Sequence, residues 1–343
     1  MIRKFFLLLI MAGAGAIVLT AAAFYLLNTQ EPLIGFEQHS PSSPPEKPAQ
    51  LTATFIGTST LLFSDGRHSI MVDGFFTRPS IKTLLSGKIL PDIPLIKSSL
   101  SRLNITHLDA IMVAHSHHDH AMDAPTVAKL TQATLFGSES TANIARSAGL
   151  PEDQIAVVGD KRSLTFGQFT VTMIKAKHTP VPSAMAWLTG NGENINKSFP
   201  QQPRLTDFNE GGSYVMHIEH PLGNVLVQAS GGYIEGLLKP YQADTVFLGI
   251  AGLSKQSEAY KQHYFDETLA AVNAKKVIPV HWDNFMRPIG NGLVPAHPLI
   301  DNIQQSISDL SNYMGPPSTE SLIIMQAWDT ISINQIDGAS TNQ

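Results

Sequence analysis

Ile111-Met112-Val113-Ala114-His115-Ser116-His117-His118-Asp119-His120 is the stretch on which the reading of this chain turns. An apolar run ends in four histidines and an aspartate within six positions. These are metal-ligand residue types, packed too densely for an idle surface loop. His115 and His117 are spaced i, i+2, so in extended backbone both side chains point to one side and clamp one ion. Asp119 and His120 follow in a tight turn and serve a neighbouring ion. His118, between the two pairs, is expected to point away and reads as structural.

Outward from that stretch, residues 108–114 form a continuous apolar run, the pattern of a buried strand. Upstream, Thr52–Gly57, Thr60–Phe63 and His68–Gly74 read as a β-meander with a turn at Ser64–Arg67. Asp73 stands at the last strand's end, before Gly74, and reads either as an Asx turn or as a support behind the ligands. Short helices are expected within 81–103. Downstream, a helix over 123–130, a strand over 133–136 and a helix over 140–148 ended by Gly149 and Pro151 argue an α/β layer.

A hairpin, Ser163–Phe166 and Phe169–Ala176, then delivers His178. Residues 181–210 lack periodicity, which suits a lid or an insert, with Trp187, Phe199 and Phe208 holding it down or lining a pocket. A second hairpin, Tyr214–Glu219 and Asn224–Ala229, runs into Ser230-Gly231-Gly232-Tyr233. A strand over 245–250, a helix over 260–273, a strand over 277–280 ending at His281, a helix over 300–313 and strands over 321–325 and 330–333 complete the pattern. Four strands thus end in a polar residue and a turn, at His115, His178, Ser230 and His281. That repetition argues a composite site on loops fixed by sheets.

The bulk numbers agree with one large domain. Roughly 285 of 343 residues follow the N-terminal features, and 43% are apolar, enough for a single α/β sandwich. A net charge of -5 without a basic stripe argues against nucleic acid as a partner. With no cysteine there are no disulfides and no thiolate–metal sites, while 13 histidines stand out. From Phe5 to Leu27 no residue is charged, about 34 Å of helix, enough to span a bilayer. Arg3 and Lys4 before it place the body of the protein outside the cytoplasm, in the periplasm or extracellular space. Cleavage at Ala21-Ala22-Ala23 would instead release a secreted domain. The expected organisation is a membrane anchor or signal (1–28), a Pro/Ser-rich linker (29–50), the folded domain (51–335) and a tail (336–343).

His115-Ser116-His117-His118-Asp119-His120 resembles the signature of the metallo-β-lactamase superfamily. The resemblance covers nearly all of 51–335 and includes Asp73, His178 and His281. Val280-His281-Trp282 and the opening meander are similar to the branch containing ascorbate-phosphate lactonase-like proteins and N-acyl-phosphatidylethanolamine phospholipase D. It implies a four-layer αββα sandwich, with His115, His117 and His178 on a first metal and Asp119, His120 and His281 on a second. Imidazole and carboxylate suit one or two Zn²⁺, with Mn²⁺ or Fe also compatible. The implied reaction is attack by metal-activated hydroxide on an ester, lactone or phosphodiester. Asp119 would carry it, with Asp73 behind, on a small-molecule or lipid substrate, an anionic one included.

Two departures qualify the resemblance. Gly57-Thr58-Ser59-Thr60 replaces the family's usual Gly-His-Ala-Thr. Ser230 falls where the family places a metal-bridging aspartate. Two divalent ions carry +4; Asp119 and a bridging hydroxide leave +2, which weakens a second cation but attracts an anion. The competing expectation is therefore a degenerate member of the fold that binds a ligand or partner without turnover.

Overall fold

The computed structural model describes residues 2–28, 32–41, 51–181, 192–196, 199–315 and 321–333. Helix α1 (Ile2–Asn28) precedes the sandwich. Its side chains are described at Lys4 and at 10–26, and among the described residues no helix is long and apolar enough to cross a membrane. The charge-free run expected to span the bilayer extends past those residues at both ends. Part of the expected linker lies against the domain. Gln304 brackets Ile34 through its side-chain amide, and His39 is buried with its Nδ1 3.0 Å from the Leu322 carbonyl. Residues 42–50, Trp187 and the 336–343 tail lie outside the described residues.

The first sheet begins with the expected meander, β1 (Thr52–Gly57), β2 (Thr60–Ser64) and β3 (Ser69–Val72), paired antiparallel. Asp92 caps Leu95 N and opens α3 (Ile93–Arg102), which follows the short α2 (Ile81–Ser86). Next come β4 (Ala110–Met112), the single turn α4 (His118–Ala121), α5 (Ala124–Thr131) and β5 (Thr134–Gly137). Ser138 caps Thr141 N to start α6 (Glu139–Ser147), and β6 (Ile155–Val157) adds an edge strand that the sequence pattern did not signal. β3, β4, β5 and β6 run parallel, and β4 is buried on both faces as its apolar run requires.

The second sheet contains β7 (Arg162–Phe166), β8 (Phe169–Ala176), β9 (Ser213–Glu219) and β10 (Val225–Gln228), joined antiparallel. β11 (Thr245–Gly249) and β12 (Lys276–Val280) continue it in parallel. The expected helix over 260–273 is α7 (Glu258–Phe265), capped by Ser257 and continued by a π turn over Asp266–Ala270. Asn302 caps α8 (Ile303–Met314). β13 (Thr330–Ser332) returns to the first sheet beside β1. Residues 321–325 are not a strand as expected: one isolated bridge joins Leu322 to Val277, and Ile324 N donates to His39 O instead of to a sheet neighbour.

Sheet orders are β13-β1-β2-β3-β4-β5-β6 and β12-β11-β10-β9-β8-β7. Their inner faces pack together, with Phe63 of β2 edge-on to Phe247 of β11 at 5.6 Å. β3 and β4 are parallel, so Asp73 and His115 leave the first sheet at one end. β8, β10 and β12 share a direction through β9 and β11, so His178, Ser230 and His281 leave the second sheet together. His281 N donates to Thr58 O at 2.5 Å, which joins the two ends.

Candidate metal centre

Six side chains converge where the strand ends meet. His115, His117 and His178 offer ligand atoms all within 4.8 Å of one another, and Asp119, His120 and His281 form a second group on the same criterion. In the first, His115 Nε2 faces His117 Nδ1 at 2.9 Å, and the His178 ring lies 4.8 Å from each of the other two. In the second, His281 Nε2 is 3.1 Å and His120 Nε2 3.7 Å from Asp119 Oδ2. The His115 and His120 ring centroids are 3.9 Å apart, so the two groups are neighbours.

Tautomers follow from the other ring nitrogens. Asp73 Oδ2 lies 2.8 Å from His120 Nδ1, which must donate to a carboxylate; His120 Nε2 is then a bare lone pair. That atom is buried without a hydrogen-bond partner and faces the Asp119 carboxylate, an acceptor set against an acceptor. A cation held by these atoms would resolve the arrangement, and this is the observation by which the residues fit a metal ion. His178 Nδ1 likewise donates to Thr179 O at 2.8 Å and leaves Nε2 for the first group. Asp73 is itself held: Ser59 Oγ donates to Oδ2 at 2.6 Å and Ala114 N to Oδ1 at 2.8 Å.

The electrostatics match a neutral-imidazole, ionised-carboxylate ligand set. Burial, then the neighbouring histidines, holds His115 well below the usual imidazole range. Burial and then His117 push His178 down to about 3. Burial works against ionised Asp119, but His120, His281 and His118 outweigh it and hold the carboxyl well below its usual range. His120 is the exception: burial opposes its charge, yet Asp73 and Asp119 raise it.

His118 is buried in a cage of Phe75, Phe208 and Phe285, with ring centroids at 6.1, 6.3 and 5.7 Å. Its Nδ1 is 3.6 Å from Asp119 Oδ1, so it flanks the second group without joining it. Phe208, from the irregular stretch, thus packs at the site's edge and against Phe199 at 5.0 Å. Ser230 lies two residues past β10 and is spent on the first group's neighbour: its Oγ accepts from Thr179 N at 2.9 Å and pairs with Thr179 Oγ1 at 3.0 Å. A cavity of about 220 Å³ opens beside the first group, lined by His117, Lys177, His178, Thr179 and Glu210 among others.

Ser230→Asp is expected to tighten a second ion by roughly tenfold or more, because it would add a negative charge at a loop next to the ligand groups. One carboxylate oxygen can still accept from Thr179 N. Metal titration of both proteins checks this; equal affinities would remove Ser230 from the second centre's surroundings.

Sequence reasoning quoted Ser59 only as part of a departing motif and did not reach Arg78 or Asp283. Ser59 binds Asp73, and Arg78 pairs with Asp283 in full burial. The available signal was Asp283 itself, two positions past His281, a carboxylate too near a ligand to be surface decoration.

A model of the metallo-beta-lactamase superfamily matches residues 53–193. A metal-dependent hydrolase from Heliobacterium modesticaldum is 32% identical over 122 residues, 36% of this chain and 44% of that protein. One from Polynucleobacter asymbioticus is 22% identical over 202 residues, 56% of this chain and 63% of that protein. The aligned segments therefore span less than two thirds of either relative. Among solved structures, the metallo-beta-lactamase fold protein YhfI from Bacillus subtilis is 16% identical with a TM-score of 0.50, covering 82% of this chain and 99% of that one. That likeness is one of fold.

Proposed function

We propose that this chain, similar to the metallo-β-lactamase superfamily over residues 53–193, is a metal-dependent hydrolase whose two ligand groups act on an ester, lactone or phosphodiester. The observation that carries the reading is the pairing of His115, His117 and His178 beside Asp119, His120 and His281, each group converging within 4.8 Å. Zn²⁺ suits the six-residue set, with Mn²⁺ or Fe as alternatives. Bound there, such ions supply Lewis acidity and a source of hydroxide at neutral pH. The chain's own residues do the rest. Asp73 and Thr179 O fix the tautomers of His120 and His178. Asp119, between His120 and His281, stands ready to orient a nucleophile. Substrate enters from the cavity at His117 and His178, where Lys177 and Glu210 offer one charge of each sign. Lys177 supports the reading of an anionic substrate group.

Purified protein is expected to cleave at least one chromogenic ester, lactone, phosphodiester or β-lactam, to lose that activity to a chelator and to regain it with zinc or manganese. Chelator-sensitive turnover excludes the binding-only reading. Turnover indifferent to chelation, or none with any metal, would sink the proposal.

We further read α1 as an anchor that holds the hydrolase outside the cytoplasm, supported by the charge-free run 5–27 and by Arg3 and Lys4 before it. A tethered enzyme is well placed for a lipid or envelope substrate. The protein should stay with membranes after alkaline carbonate washing and yield to protease in cells with an opened outer layer. Release by carbonate would count against the anchor, and protection from protease against the orientation.

A further inference from the structure

Behind His281 lies a polar cluster that neither ligand group uses. Arg78, in the loop after β3, is buried with its side chain 2% exposed, and its NH1 donates to Asp283 Oδ2 at 2.5 Å. Asp283 Oδ1 accepts from Thr58 N at 2.7 Å. Thr58 O in turn accepts from His281 N. An unbroken run of hydrogen bonds thus leads from the guanidinium to the backbone of a ligand.

That backbone needs holding. Thr58 and His281 both sit in the left-handed region, at φ 52° and 56°, a conformation that a β-branched residue such as Thr58 rarely adopts. The turn at His281 brings its imidazole to Asp119. One residue past Thr58, Ser59 donates to Asp73 Oδ2 and lies 3.0 Å from His120 Nδ1. The turn over residues 57–60 therefore touches both histidines of the second group. Gly57 makes room for the guanidinium: at φ 126° it has no side chain, and a Cβ there would stand 2.1 Å from Arg78 NH2.

Fold stability is a weak reason for this arrangement. A buried ion pair is often replaceable by apolar groups at little cost. Here Arg78 Nε and NH2 find no hydrogen-bond partner among the described residues, so desolvation is only partly offset. What the pair does accomplish is to fix the Asp283 carboxyl group with one oxygen on Arg78 NH1 and the other on Thr58 N.

We propose that Arg78 is a positioning residue for the second metal centre, acting on His281 through Asp283 and the turn at residues 57–60. The proposal rests on the two-metal reading above. It predicts selectivity, because His178 of the first group is fixed by Thr179 O, whereas the turn bonds the second group directly, at His281 N and beside His120 Nδ1.

The test titrates Zn²⁺ and Co²⁺ into the metal-stripped full chain in detergent, for wild type, Arg78→Met, Arg78→Lys and Asp283→Asn. Arg78→Met should keep the first ion within about twofold and weaken the second by roughly 10–100-fold, the size of effect typical of groups behind a ligand. The cobalt spectrum should lose the component contributed by the second ion. Arg78→Lys, which keeps a cation on Asp283, should recover most of the affinity. If Arg78→Met does not fold, Asp283→Asn carries the test, since it keeps the volume and removes the charge. Wild-type affinity for the second ion in Arg78→Met or Asp283→Asn would overturn the proposal. So would equal weakening of both ions without rescue by lysine, the mark of a merely structural pair. A wild-type chain that never takes a second ion would instead defeat the two-metal reading, and the proposal with it.

Discussion

Asp73→Asn is expected to empty the second metal site while the chain stays folded. Asp73 Oδ2 accepts a hydrogen bond from His120 Nδ1, and Oδ1 accepts one from Ala114 N. In the asparagine, the amide oxygen can keep Ala114 N, so the link between β3 and the end of β4 survives. The amide nitrogen then faces His120 Nδ1, and two donors cannot share that contact. The imidazole must shift its proton to Nε2, the atom aimed at Asp119 and the second ion. A protonated nitrogen is no ligand. Loss of an outer partner ordinarily lowers metal affinity by roughly 10–100-fold; the wrong tautomer should reach the upper end or beyond, with turnover falling by a similar factor. Metal content after dialysis, beside a thermal melt, checks both halves. Two tightly held ions in the variant would show that Asp73 does not set the tautomer. A collapsed melt would show that its bond to the backbone matters more than its bond to His120.

The ligand-bearing part of this architecture was legible because it is local. An apolar strand that stops at a histidine announces a side chain presented at a sheet's end, and four such stops recur along the chain. Spacing within His115–His120 separates two pairs by simple strand and turn geometry. What is not local was not legible. His118 reads as a spare histidine, and only the fold surrounds it with Phe75, Phe208 and Phe285, drawn from three distant segments. Arg78 and Asp283 are 205 positions apart, and no pattern in either neighbourhood joins them. Residues 321–325 carry a strand-like composition, yet Ile324 N turns to His39, a partner from the segment that composition alone marks as linker. In each case the deciding contact is tertiary, and propensity has no access to it.

Acid should destabilise the metal-free chain steeply between about pH 6.5 and pH 4. His115 and His178 are pushed below the ordinary imidazole value by burial first and by neighbouring histidines next, His178 to about 3, and in His118 burial outweighs the opposing Asp119 charge. The unfolded chain protonates these groups near 6.5 and the folded chain does not, so the unfolded state binds more protons as pH falls. Stability is therefore complete above 6.5 and is lost below it, down to the folded value. For His178 alone the difference at pH 4 is about 3 kcal/mol, a large share of a domain's 5–15 kcal/mol. Asp119 adds nothing in this window, because its carboxyl is held below the usual range and titrates lower still. His120 runs the other way: its raised value contributes stability that is present below 6.5 and fades as pH rises through the folded value. Since that proton lies where a ligand lone pair is needed once an ion arrives, second-ion affinity should climb with pH. Denaturant melts of the stripped protein at pH 7.5, 6 and 4.5, with zinc titrations at the upper two, read both effects. Stability flat across that range would mean that the histidines charge freely in the folded state, and with it the packed, neutral imidazole cluster on which the metal reading depends would fall.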